Sequence, residues 1–555
     1  MLDMKVTTDV LRIMLACAAF LPFSACARSG AGEPIIQIEQ GRIQGEREGA
    51  LNVFKNIPFA APPVGDLRWQ APQPAAVWEG IRDASSFGPS CVQPALPATS
   101  LYYDPPIEAS EDCLSLNIWA PADAKNAPVI VWIHGGSLRI GGAAEPLYDG
   151  SELARRGVVL VSVNYRLGPL GWLAHPELSA ESPNGVSGNY GLLDQIAALE
   201  WVRDNIAEFG GDTENVTIMG ESAGALSTTY LMTSPLAEGL FHKVIAQSTG
   251  IRAKPELSQP AYGMPSAETI GAMVAAAIGA EDLEALRAVD AQKITDVATK
   301  AGFVSQGTID GLALPTQLIE AFDEGRQAKT PLLAGFNSGE ARAYRALLPP
   351  VPESAAAYEA AIRRGYGDLA DDFLKVYPSS DMEESMLATL RDAIFGWSVE
   401  RIVDKQTQSG QPAFMYIFDH CYPAARERDL CAFHANELPF VFGKVGDVSA
   451  IPPNWPVPKG DKEAALSSAM MDYWVSFAAT GTPQSAGGAQ WRPYSEDQSY
   501  ILFGEEPVAD HDPVPGMYEM HEEFVRRRRE AGQQWFISVG INAVPLCEDK
   551  ADCPD

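Results

Sequence analysis

The segment Val216–Ser227 reads VTIMGESAGALS and holds a Gly-x-Ser-x-Gly pattern centred on Ser222. In a chain with 48 glycines such a match can arise by chance, so its surroundings decide its weight. The apolar run VTIM leads in and the helix-prone AGALSTTYLM leads out. Strand, sharp turn and helix are the setting of a nucleophile elbow. Small residues at Gly220 and Gly224 let the backbone close around a strained serine. The helix behind it turns its N–H groups toward developing negative charge. A serine in that position can attack an acyl carbonyl, provided a base takes its proton and donors hold the oxyanion. Upstream, the apolar run Val129–Ile133 (VIVWI) enters His134–Ser137 (HGGS), the kind of segment that offers N–H donors to an oxyanion. His134 comes too early in the chain to be the base and is expected to shape that turn. Four later histidines, His420, His434, His511 and His521, are candidates, and their spacing alone does not choose among them.

The elements that must position these groups alternate along the chain. Val158–Val163, Val216–Met219, Val244–Ala246, Pro331–Ala334 and Ala413–Phe418 are apolar runs like Val129–Ile133, as expected of strands covered on both faces. In DQIAALEWVRDNIAEF, Ile196, Leu199, Val202 and Ile206 recur at helical spacing before FGGD stops the helix. Alternation of this kind predicts an α/β fold with a mainly parallel sheet, interrupted by a more helical region over about 255–400. YILF, ending at Phe503, is the last strand expected. No linker composition or internal repeat divides the 555 residues, and one large domain is expected.

Hydrophobic residues make up 46% and charged residues 20%, as in a globular protein. The formal net charge of -31 argues against a nucleic-acid partner, whose phosphates it would repel. Lys5 and Arg12 precede the apolar run Ile13–Phe23, which is too short to span a membrane. Small residues at Ala25 and Ala27 follow. Residues 1–27 are therefore expected to be a signal peptide, despite Asp3 and Asp9, and the protein to be secreted or periplasmic. FSAC also offers Cys26 as a lipid-attachment position that would tether the protein to a membrane. Of the 8 cysteines, six lie beyond this leader in three sequence-local couples: Cys91 and Cys113, Cys421 and Cys431, Cys547 and Cys553. Local pairing in an oxidising compartment is the simplest expectation. No cysteine or histidine cluster suggests a metal. The last residues, 546–555, read as an exposed acidic tail, which leaves 28–545 as the single domain.

With these residues in view, the sequence resembles the type B carboxylesterase/lipase family, the cholinesterase-like α/β-hydrolases. VFKNIPFAAPPVGDLRWQAPQP, SEDCLSLNIWAP, VNYRLGPLGWL, GNYGLLDQIAALEWVRDNIAEFGGD and MGESAGA stand in the family's order and cover nearly the whole mature chain. Ser115 stands where an aromatic residue or threonine is usual. The resemblance implies an α/β-hydrolase fold, with a mostly parallel sheet, flanking helices and helical insertions around an active-site gorge. It implies hydrolysis of a small-molecule carboxylic ester through an acyl-enzyme, with no metal or organic cofactor. The family's acid lies in a G-x-x-x-x-E segment, here Gly335 to Glu340. Its histidine lies in H-x-x-E, here His434 with Glu437. Ser222, Glu340 and His434 then form the catalytic triad. Gly136, Ser137 and Ala223 supply the oxyanion hole. Cys91–Cys113 matches the family's N-terminal disulfide.

Departures from the pattern bear on the substrate. Tyr103 occupies the position where cholinesterases hold a tryptophan for a quaternary ammonium, and Ala343 and Tyr344 replace paired aromatics. These argue for a general esterase. Glu221, Tyr103, Leu138 and Tyr344 are the candidate pocket residues. Ser137 is expected to narrow or polarise the pocket where other members carry glycine or alanine. Arg342 and Arg345 either meet a substrate carboxylate or form surface ion pairs. The fold also includes partner-binding members that lack the serine. The intact triad argues against that alternative.

Overall fold

The apolar runs become strands whose side chains are buried on both faces. The computed structural model describes residues 32–105, 108–536 and 538–545. The expected leader with Cys26, and the acidic tail with Cys547 and Cys553, lie outside the described residues. Eleven strands make the main sheet: β1 (Glu46–Glu48), β2 (Leu51–Pro58), β3 (Ser115–Pro121), β4 (Ala127–Ile133), β5 (Val159–Val163), β6 (Gly211–Glu221), β7 (Lys243–Gln247), β8 (Leu332–Asn337), β9 (Ala413–Phe418), β10 (Ser499–Phe503) and β11 (Pro507–His511). Their spatial order is β11-β10-β9-β8-β7-β6-β4-β5-β3-β2-β1. Every pairing from β5 through β10 is parallel. The strands added at either end pair antiparallel.

Successive side chains of a strand point to opposite faces, and the apolar residues divide accordingly. Val129, Val131 and Ile133 of β4 join Val159, Val161 and Val163 of β5 in one core. Ile130, Trp132 and Leu160 join the other. Helices α1 (Tyr190–Asn205), α2 (Ala223–Thr233) and α3 (Trp397–Gln408) cover the first face through residues such as Leu199, Val202, Leu231 and Ile402. Helix α4 (Asp461–Thr480) covers the second with Leu466, Met470, Trp474 and Phe477. As the periodicity predicts, α1 runs into a tight turn that ends at Gly210, whose φ of 80° is left-handed. Glycine takes that conformation without a steric cost.

The central parallel strands fall where the apolar runs predict them. The structure differs at the ends. β11 follows YILF, so that strand is not the last. Four of the five residues of β11 are exposed, and an edge strand of that kind has no apolar pattern to find. β1 to β3 also lie outside the runs read as strands: β1 and β2 are only partly buried, and β3, though buried, has its apolar run broken by the polar Ser115 and Asn117. The helical region is split in two by β8.

Disulfides join Cys91 to Cys113 and Cys421 to Cys431. The first closes a loop of 22 residues' separation. Replacing both of its cysteines by serine is expected to destabilise the protein by about 3 kcal/mol in the chain-entropy picture. Thermal unfolding of the double variant checks this: the midpoint falls, and an unchanged midpoint contradicts it. Among the described residues, no helix is long and apolar enough to cross a membrane.

Candidate active site

Four adjacent parallel strands deliver the chemistry at their carboxyl ends, where open α/β sheets place their ligands. Ser222 follows β6, Ser248 follows β7, Glu340 follows β8, and His434 lies in the loop after β9. Ser222 sits at φ 55°, ψ -118° between β6 and α2, a strained turn. Gly220 and Gly224 make the turn possible. A Cβ on Gly220 would meet the Gly224 carbonyl carbon at 2.4 Å, and one on Gly224 would meet the Ile133 oxygen at 2.0 Å. No side chain can be accommodated at that approach without moving backbone.

His434 Nε2 lies 2.8 Å from Ser222 Oγ. On the other side of the ring, Nδ1 is hydrogen-bonded to Glu340 Oε2. Glu340 is fully buried. Its Oε1 accepts from the Asn337 N–H at 2.9 Å and from Ser248 Oγ at 2.5 Å. The carboxylate is therefore locked with one oxygen turned to the imidazole. Of the other late histidines, His420 faces Glu463 and His521 faces Tyr377, while His511 is exposed on the edge strand. His134 is buried and stacks on Tyr165. Burial pushes it down to about 4, so it is neutral at physiological pH.

Glu221 places Oε1 3.2 Å from His434 Nε2. Burial pushes its carboxyl well above the ordinary range, against the attraction of His434. Burial would lower His434, but the charges of Glu221 and Glu340 outweigh it and raise the imidazole above its ordinary value. The two groups titrate as a pair. Glu437, also buried, accepts from Asn337 Nδ2 at 2.6 Å and Gln247 Nε2 at 2.9 Å, which ties it to the strand ends.

The oxyanion-loop residues also come together. Gly136 and Ser137 line the same cavity as Ser222. Neither N–H donates to another protein group among the described residues. Ala223 is the first residue of α2, where an N–H has no intrahelical acceptor.

Ser222, Glu221 and His434 open on a cavity of about 500 Å³, large enough for a small organic ester. Tyr103 and Tyr344 line it. Leu138 does not. Ser137 and Leu138 are successive left-handed residues, with φ 59° and 56°, and the turn they make carries Leu138 into the core. Arg342 is hydrogen-bonded to Asp429 and Glu384, and Arg345 to Asp429. Neither lines the cavity, which fits the ion-pair reading.

Several site residues carry no signal in the sequence. Tyr102, not only its neighbour Tyr103, reaches the centre: its hydroxyl donates to the His434 carbonyl at 3.0 Å. Phe395 stacks on the His434 ring at 4.8 Å between centroids. It comes from a π-helical turn, Asp392–Gly396, just before α3. Such local widenings of a helix recur at functional sites. Ser248, Trp455 and Arg139 are likewise visible only in three dimensions.

Known proteins share this architecture. The chain matches the carboxylesterase family over residues 32–521. It is 38% identical to a fumonisin B1 esterase of Sphingopyxis macrogoltabida over 84% of this chain and 85% of that protein. It is 36% identical to a para-nitrobenzyl esterase of Bacillus subtilis over 86% and 96%. A solved structure of a PNB esterase superposes with a TM-score of 0.75 at 33% identity, over 88% of this chain and 99% of that one. A Geobacillus stearothermophilus carboxylesterase gives 0.74 at 32% identity, over 88% and 99%. The chain is thus a carboxylic-ester hydrolase of the α/β-hydrolase fold and belongs to the carboxylesterase family.

Proposed function

We propose that this protein is an exported serine esterase in which Ser222, His434 and Glu340 work as a triad on small-molecule esters. The observation that carries the reading is the continuous hydrogen-bonded line from Ser222 through His434 to the buried Glu340, opening on the cavity. His434 Nε2 takes the Ser222 proton as Oγ attacks the ester carbonyl. Glu340 holds the ring with Nδ1–H facing it and stabilises the imidazolium that forms. The N–H groups of Gly136, Ser137 and Ala223 receive the oxyanion. Each such donor is worth about 100- to 1000-fold in rate. His434 then gives its proton to the leaving alcohol, and water, activated by the same ring, releases the acid.

Export rests on the leader-like segment and agrees with the two disulfides, which persist in oxidising compartments. The likeness to a para-nitrobenzyl esterase and a fumonisin B1 esterase supports organic esters as substrates. The test is release of p-nitrophenol from its acetate and butyrate esters by wild type and Ser222→Ala. Release by wild type alone supports the reading. Equal release by both removes it.

The pH profile should carry the mark of Glu221. The base must be neutral to accept a proton, so kcat/KM rises as pH passes through the His434 value. Carboxylates around the ring favour its charged form, which sets that rise above the usual histidine range of about 6.5. Glu221→Gln removes one of these charges and is expected to move the rise to lower pH. A limb that stays in place contradicts this role for Glu221.

A further inference from the structure

The cavity wall contains one basic side chain that the mechanism does not use. Among the described residues that line it, Arg139 is the only lysine or arginine. It stands three residues after Gly136, on the oxyanion loop itself. The turn at Ser137 and Leu138 that buries Leu138 brings Arg139 to the cavity. The loop is held by the Arg139 and Ile140 N–H groups, which both donate to the Gly136 carbonyl at 3.0 Å. A Cβ on Gly136 would meet the Ile140 oxygen at 2.1 Å, so the loop is tightly folded and the position of Arg139 is built in.

Its guanidinium has no hydrogen bond or ion pair among the described residues. That sets it apart from nearby arginines: Arg342 and Arg345 face acids outside the cavity. The acids that share the cavity with Arg139 do not neutralise it. Glu145, pushed up to about 8 by burial and by the charge of Asp104, forms no ion pair with Arg139. Asp104 is raised by burial alone. Glu221 is occupied with His434. The Arg139 guanidinium offers a planar fork of donors that fits a carboxylate in two parallel bonds.

We propose that Arg139 binds a free carboxylate of the substrate, so that the esters this site prefers are anionic: half-esters of polycarboxylic acids, or esters whose alcohol part bears a carboxylate. The inference rests on the esterase reading and adds the substrate class. Arg139 lies three residues from Gly136 and both line one cavity, so a carboxylate bound to Arg139 can belong to the same small molecule as the ester held at Gly136. The opposite demands of the two ends are both met on one loop: backbone N–H groups for the reacting carbonyl, and a cation for the anchoring group.

The test compares kcat/KM for three esters: p-nitrophenyl butyrate, mono-p-nitrophenyl glutarate (carboxylate on the acyl side) and 4-acetoxybenzoate (carboxylate on the alcohol side). The readout is the ratio of each anionic ester to the neutral one, which cancels any general damage to the loop. Arg139→Gln is expected to lower that ratio about 10- to 100-fold for whichever arm the site accepts, the range set by losing a hydrogen bond between charged groups. Arg139→Lys should restore part of it. The arm that responds identifies the side of the ester that carries the anion. A ratio that stays constant in both arms overturns the proposal. Free glutarate gives a second measurement that needs no turnover. Calorimetry should show it binding wild type and binding Arg139→Gln about 10-fold more weakly or worse, and equal binding to both overturns the proposal. Should wild type hydrolyse none of the three esters, the esterase reading fails, and glutarate binding still decides the role of Arg139.

Discussion

Ser222→Ala and His434→Ala are each expected to lower kcat by about a million-fold, and the double variant to be no slower than either alone. The reason is geometric. Oγ and Nε2 are 2.8 Å apart, and transfer of the serine proton needs both. Without the imidazole the hydroxyl keeps its proton, and without the hydroxyl the imidazole has nothing to deprotonate. Losses that belong to one unit do not add. Residual turnover about 1000- to 10,000-fold above water should survive in all three variants, supplied by the oxyanion donors and by binding. Steady-state hydrolysis of p-nitrophenyl butyrate measures this. A double variant clearly slower than both single ones would show that the two residues act separately.

Glu340→Gln is expected to cost about 10,000-fold in kcat with KM little changed. The isosteric amide fits the same buried space. However, Oε1 of Glu340 accepts from the Asn337 N–H and from Ser248, so the amide oxygen must take that place. The NH₂ group then faces His434 Nδ1. A donor there favours the tautomer with the proton on Nε2, and Nε2 can no longer accept from Ser222. The network that fixes the carboxylate in the wild type thus makes the amide harmful rather than neutral. A loss of less than about tenfold would mean that the ring is oriented by something other than Glu340.

The path from sequence to this site was uneven for physical reasons. Ser222 and the His134–Ser137 loop each follow a buried strand segment, and such segments write themselves as unbroken apolar runs. VTIM before Ser222 and VIVWI before His134 could be read directly. Glu340 and His434 could not be separated from other acids and histidines by spacing. They came from the family resemblance, because loops after strands have no periodicity that marks one residue. Ser248, Phe395 and Tyr102 were beyond either route. Ser248 serves through a hydrogen bond to a residue 92 positions away. Phe395 serves because a helix widens by one residue where it passes His434. Leu138 shows the converse. Its place beside Ser137 suggested a pocket wall, but two left-handed residues in succession reversed the side it presents, and Arg139 took the cavity position. Of the strands at the sheet's margins, β1 and β11 have little burial to mark them, while β3 is buried but interrupted by Ser115 and Asn117.

The proposed acyl-enzyme forms on Ser222 Oγ. The most direct measurement is to treat the protein with an organophosphate ester, digest it, and locate the phosphoryl group by mass spectrometry. The expected result is one adduct per chain, on the peptide that contains Ser222, formed in step with loss of esterase activity and absent from Ser222→Ala. A stoichiometric adduct on any other residue, or full activity remaining after Ser222 is modified, contradicts the account.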